Sequence, residues 1–106
     1  LEKMANNESN EVLSKRVLAD CNPDSAFWMC NGTIVRNVYE LANAIESMNK
    51  VDFVYHVNDD HQKNDFAKWI EAVLEDPELA RRLQKIRNQK KYVQTIRNRI
   101  KELEAY

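Results

Sequence analysis

The apolar positions of this chain fall mostly at helical spacing. Val38, Leu41, Ala42, Ile45 and Met48 recur at 3, 4, 7 and 10 residues, the stripe of one amphipathic helix face. Asn37 stands ahead of them as a cap. Phe66, Trp69, Ile70 and Val73 draw a second stripe over residues 65–75, capped by Asn64, with Asp65 in the first turn where a negative charge suits the helix dipole. Asp76-Pro77-Glu78 is a restart signal: a cap, a proline at the first helical position, then an acid. Leu79, Leu83 and Ile86 line the helix that follows, and Val93, Ile96, Ile100 and Leu103 line the last one. Near the start, Ser9 or Asn10 can cap a short helix carrying Val12, Leu13, Val17 and Leu18, which ends near Asn22-Pro23.

Two stretches break this period. Apolar runs at 26–30 and 33–35 flank Asn31-Gly32, a strong local signal for a hairpin with a two-residue turn and positive φ at Gly32. Residues 50–57, with Val51, Phe53, Val54, Tyr55 and Val57, suit either a strand or a helical turn; a short helix is the favoured reading, with a loop at 58–63. Residues 77–105 contain no Gly and no Pro after Pro77. One long helix, open to a coiled-coil partner, competes there with two helices divided near Asn88. Two are favoured, because a single long helix would leave the core short.

The predicted fold is therefore α+β and predominantly helical: four to five short helices packed with one small Asn-Gly hairpin. Residues 1–8 form a polar tail and 9–105 a single domain, with a basic amphipathic helix over about 88–105. The expected core is Phe27, Ile34, Leu41, Ile45, Phe53, Phe66, Trp69, Ile70, Val73, Leu79 and Leu83, with Trp28 and Tyr55 adding to the same aromatic supply.

Composition sharpens this picture. An apolar fraction of 43% with 31% charged residues belongs to a globular chain rather than a disordered one. One glycine and two prolines are too few for the turns of a sheet-rich fold. No apolar run reaches membrane-spanning length and the N-terminal stretch lacks a signal-peptide core, so the expectation is a cytoplasmic protein with no membrane partner. Cys21 and Cys30 are too few for a disulfide framework and fit no common zinc spacing. Reduced, partly buried thiols are expected.

Charge is divided along the chain. Arg81, Arg82, Lys85, Arg87, Lys90, Lys91, Arg97, Arg99 and Lys101 place nine positive side chains, and no acid, within residues 81–101. The preceding residues are net acidic, and the whole chain carries only −1. Such a segment can lie along a DNA or RNA backbone, where contacts are largely electrostatic. The competing reading is a solvated face, or packing against the acidic body.

Other chemistry is sparse. His56, Asp59, Asp60, His61 and Asp65 supply metal-ligand atoms around one loop, but nothing in their spacing makes them converge. There is no glycine-rich phosphate loop, no nucleophile elbow and no cysteine with an activating histidine in a known pattern. The chain is thus read as non-enzymatic, without catalytic residues, metal or cofactor.

The order of motifs carries a resemblance. Phe27-Trp28-Met29-Cys30-Asn31-Gly32, Tyr39-Glu40-Leu41, Tyr55-His56-Val57-Asn58, Asn64-Asp65-Phe66-Ala67-Lys68-Trp69-Ile70 and Asp76-Pro77-Glu78-Leu79-Ala80 follow one another. Over about residues 26–86 this resembles a small uncharacterised domain of archaea and bacteria. Glu75-Asp76 stands where many members have Gly-Asp. The resemblance implies fold and kinship and brings no catalytic residue with it. His56 and Asp65 remain a candidate groove pair. The expected function is a non-catalytic interaction or regulatory module, binding a protein partner or itself through its C-terminal helix, with nucleic-acid binding through residues 81–101 as the alternative.

Overall fold

Five of the six α-helices among the described residues begin where a short polar side chain meets an orphan backbone N–H; the exception, Lys50–His56, follows Asn49 without a side-chain cap bond. In a computed structural model that describes residues 8–106, α1 spans Asn10–Leu18 and Ser9 accepts from the Val12 N–H. α2, Val38–Ser47, starts on Asn37, whose Oδ1 accepts from Glu40 N–H at 2.8 Å. α3 covers Lys50–His56 and α4 covers Asp65–Trp69. α5, Pro77–Leu83, is capped by Asp76, and α6, Gln89–Glu104, by Asn88. Caps of this kind contribute about 1 kcal/mol each. The chain breaks between α5 and α6, so residues 77–105 form two helices. Of the expected polar tail at 1–8, residues 1–7 lie outside the described residues.

Six α-helices lie among the described residues, one more than the four to five expected, and the ambiguous stretch at 50–56 is helical as favoured. The strands differ more. β1 (Phe27–Trp28) pairs antiparallel with β2 (Ile34–Val35). A second hairpin, not anticipated, pairs β3 (Val57–Asn58) with β4 (Lys63–Asn64). Its turn closes because Asn58 donates to Val54 C=O and accepts from His61 N–H.

The first hairpin turns one residue earlier than the sequence suggests. Gly32 N–H donates to Met29 C=O, so Cys30 and Asn31 occupy the centre of the turn. Gly32 follows at φ +90°, and Met29 N–H reaches Thr33 C=O. This is a three-residue loop with a left-handed third residue, rather than a two-residue turn on Asn31-Gly32; the positive φ at Gly32 holds.

The expected helix at 65–75 also changes character. After Trp69 the chain widens into a π turn, Ile70–Leu74, which ends on Glu75 in the left-handed region. Ile70 and Leu74 are buried and Val73 only half so. Most of the expected core is inside, but Phe27 is half-buried and Ile34 is exposed. The register explains this. Phe27 faces Val35 and Trp28 faces Ile34, and a strand alternates its faces, so only the first pair can point inward.

α6 crosses α2, and α1 and α5 also pack on it. Its stripe of Val93, Ile96, Ile100 and Leu103 is buried, together with Tyr92. Tyr92 donates its hydroxyl to Asn64 Oδ1, while Asn64 Nδ2 donates to Leu83 C=O at 2.9 Å. Gln89 closes the end of α2 through Ile45 and Met48 C=O. Arg99 and Asp76 form a buried bidentate pair, with Nε to Oδ2 at 2.9 Å and a second nitrogen to Oδ1 at 3.0 Å.

Two stability outcomes are expected in urea unfolding. Trp69 is buried and its indole N–H donates to Ser25 C=O at 2.7 Å; Trp69→Ala should cost about 3–5 kcal/mol. Arg99→Met should cost about 3–5 kcal/mol by leaving the Asp76 carboxylate buried without a partner. Adding Asp76→Asn, which keeps a capping oxygen, should recover much of that loss. Equal losses in the single and double variants would show that the unpaired charge is not the cause.

Candidate functional site

The alternation that puts Phe27 inside puts Trp28 outside, 70% exposed, with its cross-strand neighbour Ile34 exposed beside it. A similar choice is made on α3. Phe53 and His56, three residues apart on one face, are both buried. Val51, Val54 and Tyr55 are therefore turned to solvent, Val51 at 79% exposure and Tyr55 at 56%. Trp28 and Tyr55 are thus surface residues, not core. Both were legible as such only once the inward partner on each element was known. Lys63 Nζ sits 4.1 Å from the centre of the Tyr55 ring and steadies it from the other hairpin.

The β1–β2 hairpin and α3 are joined at Cys30. Its backbone N–H donates to His56 Nε2 at 3.0 Å, and its Sγ lies 3.6 Å from Asp52 Oδ1. On the other side of the ring, His56 Nδ1 is 2.9 Å from Asp65 Oδ2, an oxygen that Lys63 also approaches at 3.3 Å. An amide N–H can only donate, so Nε2 carries the lone pair and the proton sits on Nδ1, donating to Asp65. The candidate pair His56–Asp65 is thus brought together, half-sheltered and wedged between the rings of Phe27 and Phe66. The imidazole meets the main chain of Cys30 rather than its thiol. That thiol is exposed, a correction to its expected partial burial, and Cys21 and Cys30 are both free. Partial desolvation, followed by the neighbouring Asp52 carboxylate, pushes the Cys30 thiol above its usual range. Among the described residues no group of three or more acidic, histidine or cysteine side chains is placed to hold a metal ion.

The basic segment is dispersed by the fold. Arg99 leaves the surface altogether, paired with Asp76 and reaching Glu102. Arg82 bridges Glu78 and Glu102, and Arg81 holds Glu78. Arg87 binds Asp59 and the carbonyls of Gln84 and Ile86, and Arg97 binds Asn43 and Glu46. Lys85, Lys90, Lys91 and Lys101 are exposed, and none has an ion pair among the described residues. Lys90 and Arg87 meet Lys50 around an open cavity of about 400 Å³, floored by Phe53. Five of the nine predicted basic residues are thus engaged by acids that lie far away in sequence or one helical turn away.

The two arginines hold the Glu78 carboxyl down at about 2, and Arg82, ahead of Arg99, lowers Glu102. A carboxyl depressed in the folded state stabilises the fold above its unfolded value, and that contribution is lost as pH falls through the folded one. The stability gap between wild type and Glu78→Gln should therefore be full near neutrality and close between about pH 4.5 and about pH 2 in thermal melts. A gap independent of pH over that window would mean that the pairs contribute nothing.

No helix among the described residues is long and apolar enough to cross a membrane. No curated protein and no solved structure matches the chain significantly. One family model does match, over residues 21–104, from the turn that precedes β1 to the end of α6. The chain belongs to that family, a family of unknown function (DUF5752).

Proposed function

We propose that this chain is a non-catalytic protein-interaction module whose contact surface is the outer face of the β1–β2 hairpin and α3. The observation that carries the reading is the exposure of Trp28, Ile34, Val51, Val54 and Tyr55 on two joined elements. Exposed tryptophan and tyrosine side chains are the residues most enriched at the energetic centres of protein interfaces. The C-terminal helix is the weaker choice of surface, since its apolar stripe is spent on the domain's own core. A non-catalytic role agrees with a Cys30 thiol kept protonated by its surroundings and an imidazole whose two nitrogens are both occupied.

A second reading is favoured by the convergence of Lys50, Arg87 and Lys90 on one cavity, with Lys91 adjacent. There a nucleic-acid backbone would be held by charge alone.

Affinity capture from the native cell, with and without nuclease, separates the two. Trp28→Ser combined with Val51→Asp should weaken a nuclease-resistant partner by about thirtyfold or more, the loss of one interface anchor of about 2 kcal/mol. Lys50→Gln with Lys90→Gln should leave it unchanged. The reverse pattern would overturn the ranking, as would binding to generic duplex DNA whose log K falls with log salt at about −0.9 per phosphate held.

A further inference from the structure

We propose that His56 is a pH-gated latch that holds the tip of the β1–β2 hairpin against α3. The imidazole is only 4% exposed, and it spans two elements through two hydrogen bonds of fixed direction. Cys30 N–H, at the centre of the hairpin turn, donates to Nε2, and Nδ1–H donates to Asp65. This arrangement requires the neutral ring. A second proton would have to enter at Nε2, where it would meet the Cys30 N–H head-on, donor against donor.

The charged groups around the ring decide which bond gives way. Asp65, from α4, touches Nδ1 and favours the imidazolium. Lys63, from β4, lies 3.3 Å from the same carboxylate oxygen and opposes it in part. Asp52, one turn earlier on α3, lies beside the Cys30 sulfur and adds a second negative charge near the hairpin tip. Tyr55, Phe27 and Phe66 contribute neutral rings, with centroids 5.1, 5.4 and 5.0 Å away. Of these charges only Asp65 hydrogen-bonds the ring, so a protonated ring keeps that bond and the one to Cys30, donor against donor, is the one that breaks. Val35 and Met29 stay anchored in the core, which confines the release to the loop at 30–32, two residues beyond Trp28.

Its value as a regulator rests on the hairpin being the contact surface proposed above. The latch itself is measured on the isolated chain without any partner, so the two ideas fail separately. Amide hydrogen exchange at Cys30, corrected for the intrinsic pH dependence, should lose about tenfold in protection between about pH 7.5 and about pH 5, the worth of one amide hydrogen bond. Ring ¹⁵N shifts at the higher pH should report the proton on Nδ1. His56→Gln, whose amide can accept from Cys30 and donate to Asp65, should stay protected at both pH values. Three results would each overturn the proposal: equal protection in the wild type at both pH values, a loss that persists in His56→Gln, or a neutral ring protonated on Nε2. Should the variant fail to fold, the wild-type tautomer and exchange measurements still decide.

Discussion

The buried pair between Arg99 and Asp76 is the constraint around which the C-terminal half is built. A guanidinium and a carboxylate taken out of water are tolerable only when each satisfies the other with good geometry, and here they do so through two parallel bonds. Asp76 serves twice, since the oxygen that accepts from Arg99 also accepts from Leu79 N–H at the start of α5. The pair therefore fixes where α5 begins and how α6 is rotated against it. From Arg99 the charges continue outward through Glu102, Arg82 and Glu78 to Arg81. A segment that looks in sequence like one block of positive charge becomes a ladder of alternating signs. The net charge left for a partner is carried by lysines.

A second polar junction organises the other half. Asn64 caps α4, holds the last carbonyl turn of α5 and receives the Tyr92 hydroxyl. Neighbouring Asp65 orients His56, which in turn receives the hairpin. Two adjacent residues thus tie α6 and the β1–β2 hairpin to the start of the same helix. Buried polar groups that are fully partnered specify one arrangement more sharply than apolar packing alone. The outward face that remains on the hairpin and α3 is then a by-product of which side chains this junction draws inward.

Local features were legible in the sequence because their physics is local. Asn37, Asn64, Asp76 and Asn88 each act within three residues of themselves, and the break before α6 follows from the last of them. What could not be read depended on partners distant in the chain. Nothing near Arg99 marks it for burial, since its partner lies twenty-three positions earlier. Tyr92 sits amid lysines and glutamines, yet it is fully buried because α6 faces the Asn64 junction. Trp28 and Phe27 are adjacent aromatics, and composition alone could not say which one the strand would turn outward. The π turn at Ile70–Leu74 likewise has no local breaker residue to announce it.

α1 lies ahead of the region shared with the family, yet it is part of the folded core. Val17 is fully buried, Ser14 donates to the Leu103 carbonyl at 2.6 Å, and Arg16 donates to the Glu75 carbonyl at the end of the π turn. Inheritance and folding consequently have different edges here. A fragment trimmed to residues 21–104 would keep every family position and still lose the lid over its own α2–α6 seam. For this protein the boundary of likeness is the wrong place to cut.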